Sequence, residues 1–378
     1  MSGVQPLRRG MKRICIYCQT WESGGIEAFI SNTLSHMDLS GLEIEIVAEA
    51  LRRSVFTEEL EAKGVVFHEL SGSPRRIVGN YRRFSKLVSM RRYDVLHFNL
   101  FQALPMVCLL PAKREGVPIR IAHSHNTMLR QSRTRAVKMR IHRIASYLFS
   151  GIATDWWACS DAAARFMFPD TRSSGEEYRI IPNGICLNRF VFNAAERERM
   201  RKRLNLEGTF VIGNVGRLCF QKNQTFLLDI FSRIYAEEPS ARLLLVGEGE
   251  ALAALKEQAG RLSISNAVIF FGNTSEVEKL LWAMDVFVFP SIFEGLGIAA
   301  VEAQAAGLPT LCSDRVPQEA LASSLAQQIS LDAPLSQWGD AIMDAQRQKT
   351  AVDTVRQLEE HGFDVKTVSA EIRGVYCR

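Results

Sequence analysis

No apolar stretch in this 378-residue chain approaches the roughly 20 residues needed to span a bilayer; the best, Leu104 to Leu110, is short and carries Pro105. The first residues, Met1 to Met11, are polar and hold no hydrophobic signal core. Residues 1–10 therefore read as a loose extension before the first strand, and nothing directs export. The eight cysteines are scattered. Cys15 and Cys18 lie three apart in an apolar strand, facing opposite sides, with no second Cys or His pair nearby. Neither a disulfide framework nor a zinc site is expected. G-x-G-x-x-G is missing, which removes the dinucleotide fingerprint. Asp-x-Asp is missing as well, and with it the carboxylate pair that seats a divalent ion on a diphosphate. The expectation is a cytoplasmic protein with reduced cysteines, no resident cofactor and no metal.

Acidic residues are also absent from the span Gly116 to Thr154. Residues 1–180 hold 26 Lys+Arg against 17 Asp+Glu, and the remainder holds 20 against 24. Two basic clusters cause the asymmetry: Arg75, Arg76, Arg82, Arg83, Lys86, Arg91 and Arg92, then Arg130, Arg133, Arg135, Lys138, Arg140 and Arg143. Val137, Ile141, Ile144, Tyr147 and Leu148 recur at helical spacing in the second, giving a basic amphipathic helix. No reading motif or interleaved aromatic pattern accompanies the charge, which argues against nucleic acid. A solvated face and an anionic lipid surface both remain open, and the lipid surface is favoured.

What the chain does have is alternation. Ile14–Tyr17, Glu43–Val47, Val65–Phe67, Asp94–Phe98, Pro118–Ala122, Trp156–Cys159 and Arg179–Pro182 read as strands, with Ser160 as a helix N-cap and a helix around Gln102–Pro111. Phe210–Val215, Ala241–Val246, Val268–Phe271, Val286–Phe289 and Pro309–Cys312 repeat the pattern, with helices between. The stretch from Asn183 to Phe190 is turn-rich, then polar through Leu206, and reads as a hinge. The fold class is α/β, with two Rossmann-like parallel-sheet domains over residues 1–185 and 186–362, and a terminal helix in 363–378.

The most informative segment runs from Phe289 to Pro309. A buried strand stops at Pro290; Glu294 and two glycines follow; an Ala-rich helix containing Glu302 is closed by Gly307 and Pro309. Gly295 and Gly297 uncover amides at the positive end of a helix dipole, which suits an anion such as a diphosphate. Glu294 is placed to accept sugar hydroxyls. Glu302, about one to two turns in, is within reach of a ribose. Upstream, Arg217 and Lys222 stand five apart at the carboxyl end of a strand, where fixed positive charge stabilises a dianionic leaving group.

This segment resembles the E-x7-E motif of retaining family 4 glycosyltransferases, which have the GT-B fold, and the resemblance covers nearly the whole chain. Glu302-Ala-Gln-Ala-Ala-Gly-Leu-Pro309 is closest to the branch that builds bacterial exopolysaccharide and capsule. The resemblance implies two domains facing a central cleft, the first binding acceptor and the second binding donor, with the terminal helix crossing back onto the first. It implies that Glu294 and the amides of Gly295, Leu296, Gly297 and Ile298 hold the donor sugar, and that Glu302 holds the ribose. Gly216-Arg217 through Lys222 resembles the family's G-R-x-x-x-x-K segment, whose cations contact the diphosphate. Gly24-Gly25 corresponds to a loop lying against diphosphate and acceptor, and Gly272-Asn273-Thr274 to a loop that reads the base. A histidine in Ala122-His123-Ser124-His125-Asn126 corresponds to one that contacts the donor sugar; His125 is favoured over His123, and His97 is weaker. One departure is Cys186, where relatives read Asn-Gly-Ile-Asp, so any hinge or acceptor role there is in doubt.

The implied activity is metal-independent, retaining transfer of a sugar from a nucleotide-diphosphate donor, expected to be a UDP-sugar, to a polyprenyl-linked glycan, peripheral on the inner face of the plasma membrane. The alternatives are a nucleotide-sugar epimerase or hydrolase on the same scaffold, and a non-catalytic partner protein.

Overall fold

The computed structural model describes residues 10–22, 24–73, 76–129, 134–168, 178–347 and 353–378. Arg75, Arg130, Arg133 and residues 1–9 lie outside them. The chain divides into two compact units, Met1–Ile185 with Asp364–Arg378, and Cys186–Phe363.

The first unit runs β1 (Lys12–Trp21), α1 (Gly25–His36), β2 (Leu42–Leu51), α2 (Val55–Ala62), β3 (Val66–Glu69), α3 (Ile77–Arg91), β4 (Val95–Leu100), α4 (Leu109–Arg114), β5 (Ile119–Ser124), α5 (Arg135–Phe149), β6 (Asp155–Ala158), α6 (Asp161–Met167) and β7 (Arg179–Ile180). Its seven strands form a parallel sheet in the order β3-β2-β1-β4-β5-β6-β7. Alternation along β1 sends Ile14, Ile16 and Cys18 into one core and Cys15 and Tyr17 into the other, so the sheet is buried on both faces. That double burial is why β1 reads as a near-continuous apolar run. Ser160 caps α6 by accepting from the Ala163 amide at 3.2 Å. The helix expected around Gln102–Pro111 is instead a 3-10 turn, Leu104–Cys108, passing into α4.

The second unit runs α7 (Leu187–Phe190), α8 (Ala194–Arg203), β8 (Val211–Val215), α9 (Gln224–Glu237), β9 (Arg242–Val246), α10 (Leu252–Arg261), β10 (Val268–Gly272), α11 (Val277–Ala283), β11 (Val286–Phe289), α12 (Ile298–Ala305), β12 (Thr310–Ser313), β13 (Ala326–Ile329), α13 (Leu335–Arg347) and α14 (Thr354–Glu360). Its parallel sheet has six strands in the order β10-β9-β8-β11-β12-β13. The polar stretch after Phe190 is the helix α8, capped by Asn193 and anchored by Arg197 and Arg201 on Asp285 at 2.5 and 3.1 Å. Charge that reads as linker is there an ion-paired helix face. The chain's last helix, α15 (Val365–Tyr376), belongs to the first unit. It packs on α1, where Ser369 Oγ donates to the Thr33 carbonyl at 2.9 Å.

The basic helix α5 buries His142, Ala145 and Ser146 and turns Val137, Ile141, Ile144, Tyr147 and Leu148 outward; Ile144 is 60% and Tyr147 73% exposed. Its small residues pack on the core, and its apolar stripe lies beside Lys138, Arg140 and Arg143 on the open face.

Candidate active site

Both sheets reverse their strand order beside their first strand, between β1 and β4 in one unit and between β8 and β11 in the other. In open α/β sheets the carboxyl edge at such a reversal is where ligands bind, because the two loops leave it in opposite directions.

In the second unit the loops after β8 and β11 are joined to each other. The Ile292 amide donates to the Gln221 carbonyl at 2.8 Å, and Asn223 Nδ2 to the Pro290 carbonyl at 3.1 Å. Gln221 Nε2 reaches the Phe293 carbonyl at 3.0 Å and Glu294 Oε2 at 3.2 Å. Lys222 Nζ donates to Glu294 Oε1 at 2.7 Å and sits 4.5 Å from the centre of the Phe289 ring. This ion pair is largely buried, so each partner is held in one position and neither is compensated by water alone. Gly297 caps α12 with φ +98°, and a Cβ there would lie 3.2 Å from Phe289 and 3.3 Å from Val316. Glycine is therefore needed both for the backbone conformation and for the packing. Leu296 is buried behind the turn and Ile298 opens the helix.

Glu302 lies in the middle of α12, half-buried. No side chain among the described residues hydrogen-bonds its carboxyl. Desolvation pushes its pKa up to about 7, against the pull of Arg189. Arg189 itself is tied to Glu278, with Nη2 at 2.7 Å from Oε2. Arg217 does not share Lys222's partner. It is exposed and pairs with Glu250 at 3.2 Å, so the two cations of the G-R-x-x-x-x-K run occupy separate positions. Gly216 precedes Arg217 directly beneath Lys222, whose Cε would lie 3.2 Å from an added Cβ. Gly272 ends β10, and Asn273 Nδ2 donates to Glu248 Oε2 at 3.1 Å; Thr274 Oγ1 accepts from the Glu276 amide at 3.0 Å. Among the described residues no three His, Cys, Asp or Glu side chains converge as a metal site.

In the first unit Gly24 caps α1 and Gly25 begins it. Behind them the buried carboxyl of Glu27 accepts the Glu22 amide at 3.1 Å, and a Cβ on Gly24 would stand 2.6 Å from its Oε2. His97 and Asn99 on β4, and His123 and His125 on and just beyond β5, all project to one face. His97 hydrogen-bonds Tyr376 of α15 at 2.7 Å and His123 at 3.1 Å. His123 is fully buried in that chain, whereas His125 sits at the strand end and bonds Asn99 at 2.9 Å. Burial lowers the pKa of all three, that of His97 and of His125 to about 3, so the cluster is neutral.

Sequence reasoning passed over Gln221, Asn223, Asn99 and Asn183. Gln221 stands between the two cations it did select, so its position was available, but its amide's reach to Glu294 depends on loops that meet only in the fold.

Two Rossmann-like parallel sheets on one chain, the second with paired charge at its strand-order reversal, have the architecture of the GT-B fold. The model of the glycosyl transferases group 1 matches residues 196–334, and that of glycosyltransferase family 4 matches residues 23–189. EpsF of Bacillus subtilis, which carries the name of a glycosyltransferase, is 28% identical over 98% of this chain and 97% of its own length. An Escherichia coli UDP-Gal:alpha-D-GlcNAc-diphosphoundecaprenol alpha-1,3-galactosyltransferase is 25% identical over 61% of this chain and 60% of its own. The crystal structure of Anabaena Alr3699/HepE in complex with UDP and glucose superposes with a TM-score of 0.77 at 19% identity, covering 97% and 99% of the two chains. The chain belongs to the family 4 glycosyltransferases of the GT-B type.

Proposed function

We propose that this glycosyltransferase moves a hexose with retention from a UDP-sugar to a polyprenyl-linked glycan in exopolysaccharide or capsule synthesis, without a metal ion. The observation that carries this reading is the Lys222–Glu294 pair against the glycine-opened start of α12. A diphosphate arriving there meets an ammonium group and the positive end of α12, while Glu294, released from Lys222, accepts sugar hydroxyls. Glu302, unbonded in the free protein, accepts the ribose hydroxyls. In the step itself the C1–O bond to the diphosphate breaks and a bond from C1 to the acceptor oxygen forms on the same face. The acceptor's proton passes to the departing phosphate oxygen. Lys222 and the helix amides stabilise the charge that develops on that phosphate, and Arg217 adds a second cation at the edge.

The UDP bound in the Anabaena structure and the diphosphoundecaprenol in the name of the Escherichia coli relative support the donor and acceptor classes. The near full-length match to EpsF supports the exopolysaccharide branch. The open face of α5 supports docking on an anionic leaflet. Its apolar stripe has basic flanks, and no acidic residue occurs from Gly116 to Thr154 to repel lipid phosphate. The test is a calorimetric screen of nucleotide sugars, followed by transfer to a polyprenyl-diphosphate-linked sugar with the product's anomeric configuration read by NMR. Inverted product, or donor turnover that needs no acceptor, would replace this reading with an inverting transferase or with an epimerase or hydrolase.

A further inference from the structure

Both carboxylate oxygens of Glu294 are held by neighbouring residues of one loop. Lys222 Nζ donates to Oε1 at 2.7 Å, and Gln221 Nε2 donates to Oε2 at 3.2 Å. The two donors differ in how they are anchored. Gln221 Nε2 also donates to the Phe293 carbonyl at 3.0 Å, and the Gln221 carbonyl accepts the Ile292 amide at 2.8 Å. Turning the side-chain amide over would set Oε1 against a carbonyl and a carboxylate, so it has one useful orientation. Asn223, at φ +55°, bonds the Pro290 carbonyl at 3.1 Å and pins the loop on the other side of Lys222. Gln221 is thus fixed at backbone and side chain. Lys222 carries its ammonium on a flexible stem, and among the described residues its Nζ hydrogen-bonds Glu294 alone. A diphosphate can draw that cation away, whereas a neutral, doubly bonded amide has no reason to follow. Glu294 is 5% exposed, so a donor that stays in place while Lys222 moves keeps a deep carboxylate from turning. An amide suits this task because it holds one oxygen without cancelling the charge.

We propose that Gln221 is a positioning residue: it keeps the Glu294 carboxylate in place through Oε2 when Lys222 turns to a diphosphate, so that Oε1 is open to a sugar hydroxyl. The role rests on the reading of Glu294 as the sugar's acceptor, but the hold on Glu294 is a property of the protein without sugar and can be tested there. Every residue involved belongs to the loops after β8 and β11 of the second unit.

In nitrogen–proton spectra of the full-length wild type, the Gln221 side-chain amide, assigned by its absence from Gln221→Met, reports the hold. Its resonances should move in Glu294→Ala, and should stay resolved and slow to exchange with solvent when UDP is added. Gln221→Met keeps the length of the side chain and removes the donor. It should bind UDP within about twofold of the wild type, because Lys222 is untouched. Its affinity for UDP-glucose relative to UDP should fall by about tenfold, the size of one hydrogen bond to a charged group. Gln221→Glu, which sets a carboxylate against Glu294, should lose at least as much. An amide that ignores Glu294→Ala, or that becomes mobile when UDP arrives, overturns the proposal whether or not any variant folds. So does an unchanged ratio in Gln221→Met where Glu294→Ala lowers it, or an equal loss of both ligands, the mark of a merely structural residue. If Glu294→Ala leaves the ratio unchanged while the Gln221 amide behaves as expected, the reading of Glu294 as a sugar contact fails and its positioning by Gln221 stands.

Discussion

The two units share a strand order around their reversal points and spend their charge in opposite places. The first carries its cations on the outer faces of α3 and α5 and keeps its sheet edge neutral, with histidines that burial holds uncharged. The second puts Lys222, Glu294, Arg217 and Glu302 at its sheet edge and is net acidic elsewhere. A shared topology therefore fixes where a ligand can sit but not what it can be. Paired charge beside a helix start suits a diphosphate, whereas neutral acceptors suit hydroxyls. The contrast makes each edge separately breakable.

The largest effect is expected at the charged edge. Lys222→Ala should lower turnover on the order of 100-fold or more, the loss of one donor to developing charge. It also strands the buried Glu294 carboxylate, so thermal stability should fall by about 1–3 kcal/mol, a cost that the sequence alone did not suggest. Steady-state kinetics and a melting curve give both numbers. Near-normal turnover on the true donor would remove the leaving-group role.

Next comes the outer charge of the first unit. Each cation at an anionic surface contributes about 1 kcal/mol, so changing Lys138, Arg140 and Arg143 to Gln should weaken binding to anionic vesicles by tenfold or more. Changing Ile141, Ile144 and Leu148 to Ser should weaken it even at high salt, where charge is screened within a few ångströms. Flotation with anionic and neutral vesicles decides the matter: equal binding to both, or no loss in either variant, means that α5 faces solvent only.

The effect at Glu302 is smaller. Removing its carboxyl with Glu302→Ala should cost about tenfold in UDP affinity, while Glu294→Ala should cost less in UDP binding and more in sugar transfer. The raised carboxyl adds a pH signature. Its folded pKa is about 7 against an ordinary 4.5. Folding therefore favours the protonated form, and the stability this contributes at low pH is lost as pH rises through that window. Ribose hydroxyls prefer the carboxylate, so UDP binding should release a proton and tighten as pH rises toward and past 7. Calorimetry in buffers of different ionisation heat reads that proton. Glu302→Gln should lack it, while the titration of UDP's own phosphate persists in both proteins. An identical pH dependence in the two would place the ribose elsewhere.

The smallest expected effect is none. If Lys222 and Arg217 take the diphosphate's charge as proposed, activity should persist in excess chelator. Complete loss, restored by magnesium or manganese, would overturn the metal-free reading and show that the charged edge is incomplete by itself.

The sequence by itself determined the alternation of apolar runs that became two parallel sheets, because strands buried on both faces leave no room for polar residues. It determined the glutamates, glycines and cations of the second unit's edge, since these sit in consecutive strand–loop–helix segments whose spacing is local. It missed β13, whose Ala326–Ile329 is half polar at an outer position, and took the charged helix α8 for a linker. Only the tertiary structure decided which partner each charge takes: Lys222 meets Glu294 and Arg217 meets Glu250, because residues 72 and 33 positions apart are brought together by loops from neighbouring strands. It alone turned the apolar stripe of α5 outward, by packing Ala145 and Ser146 against the core in its place. It also separated His123 from His125: equivalent in sequence, two apart on one face, they differ because one is locked to His97 beneath α15, while Asn99 reaches the other across the β4–β5 ladder. Hydrogen bonds of that kind depend on sheet register and on a helix from the far end of the chain, which no local pattern encodes.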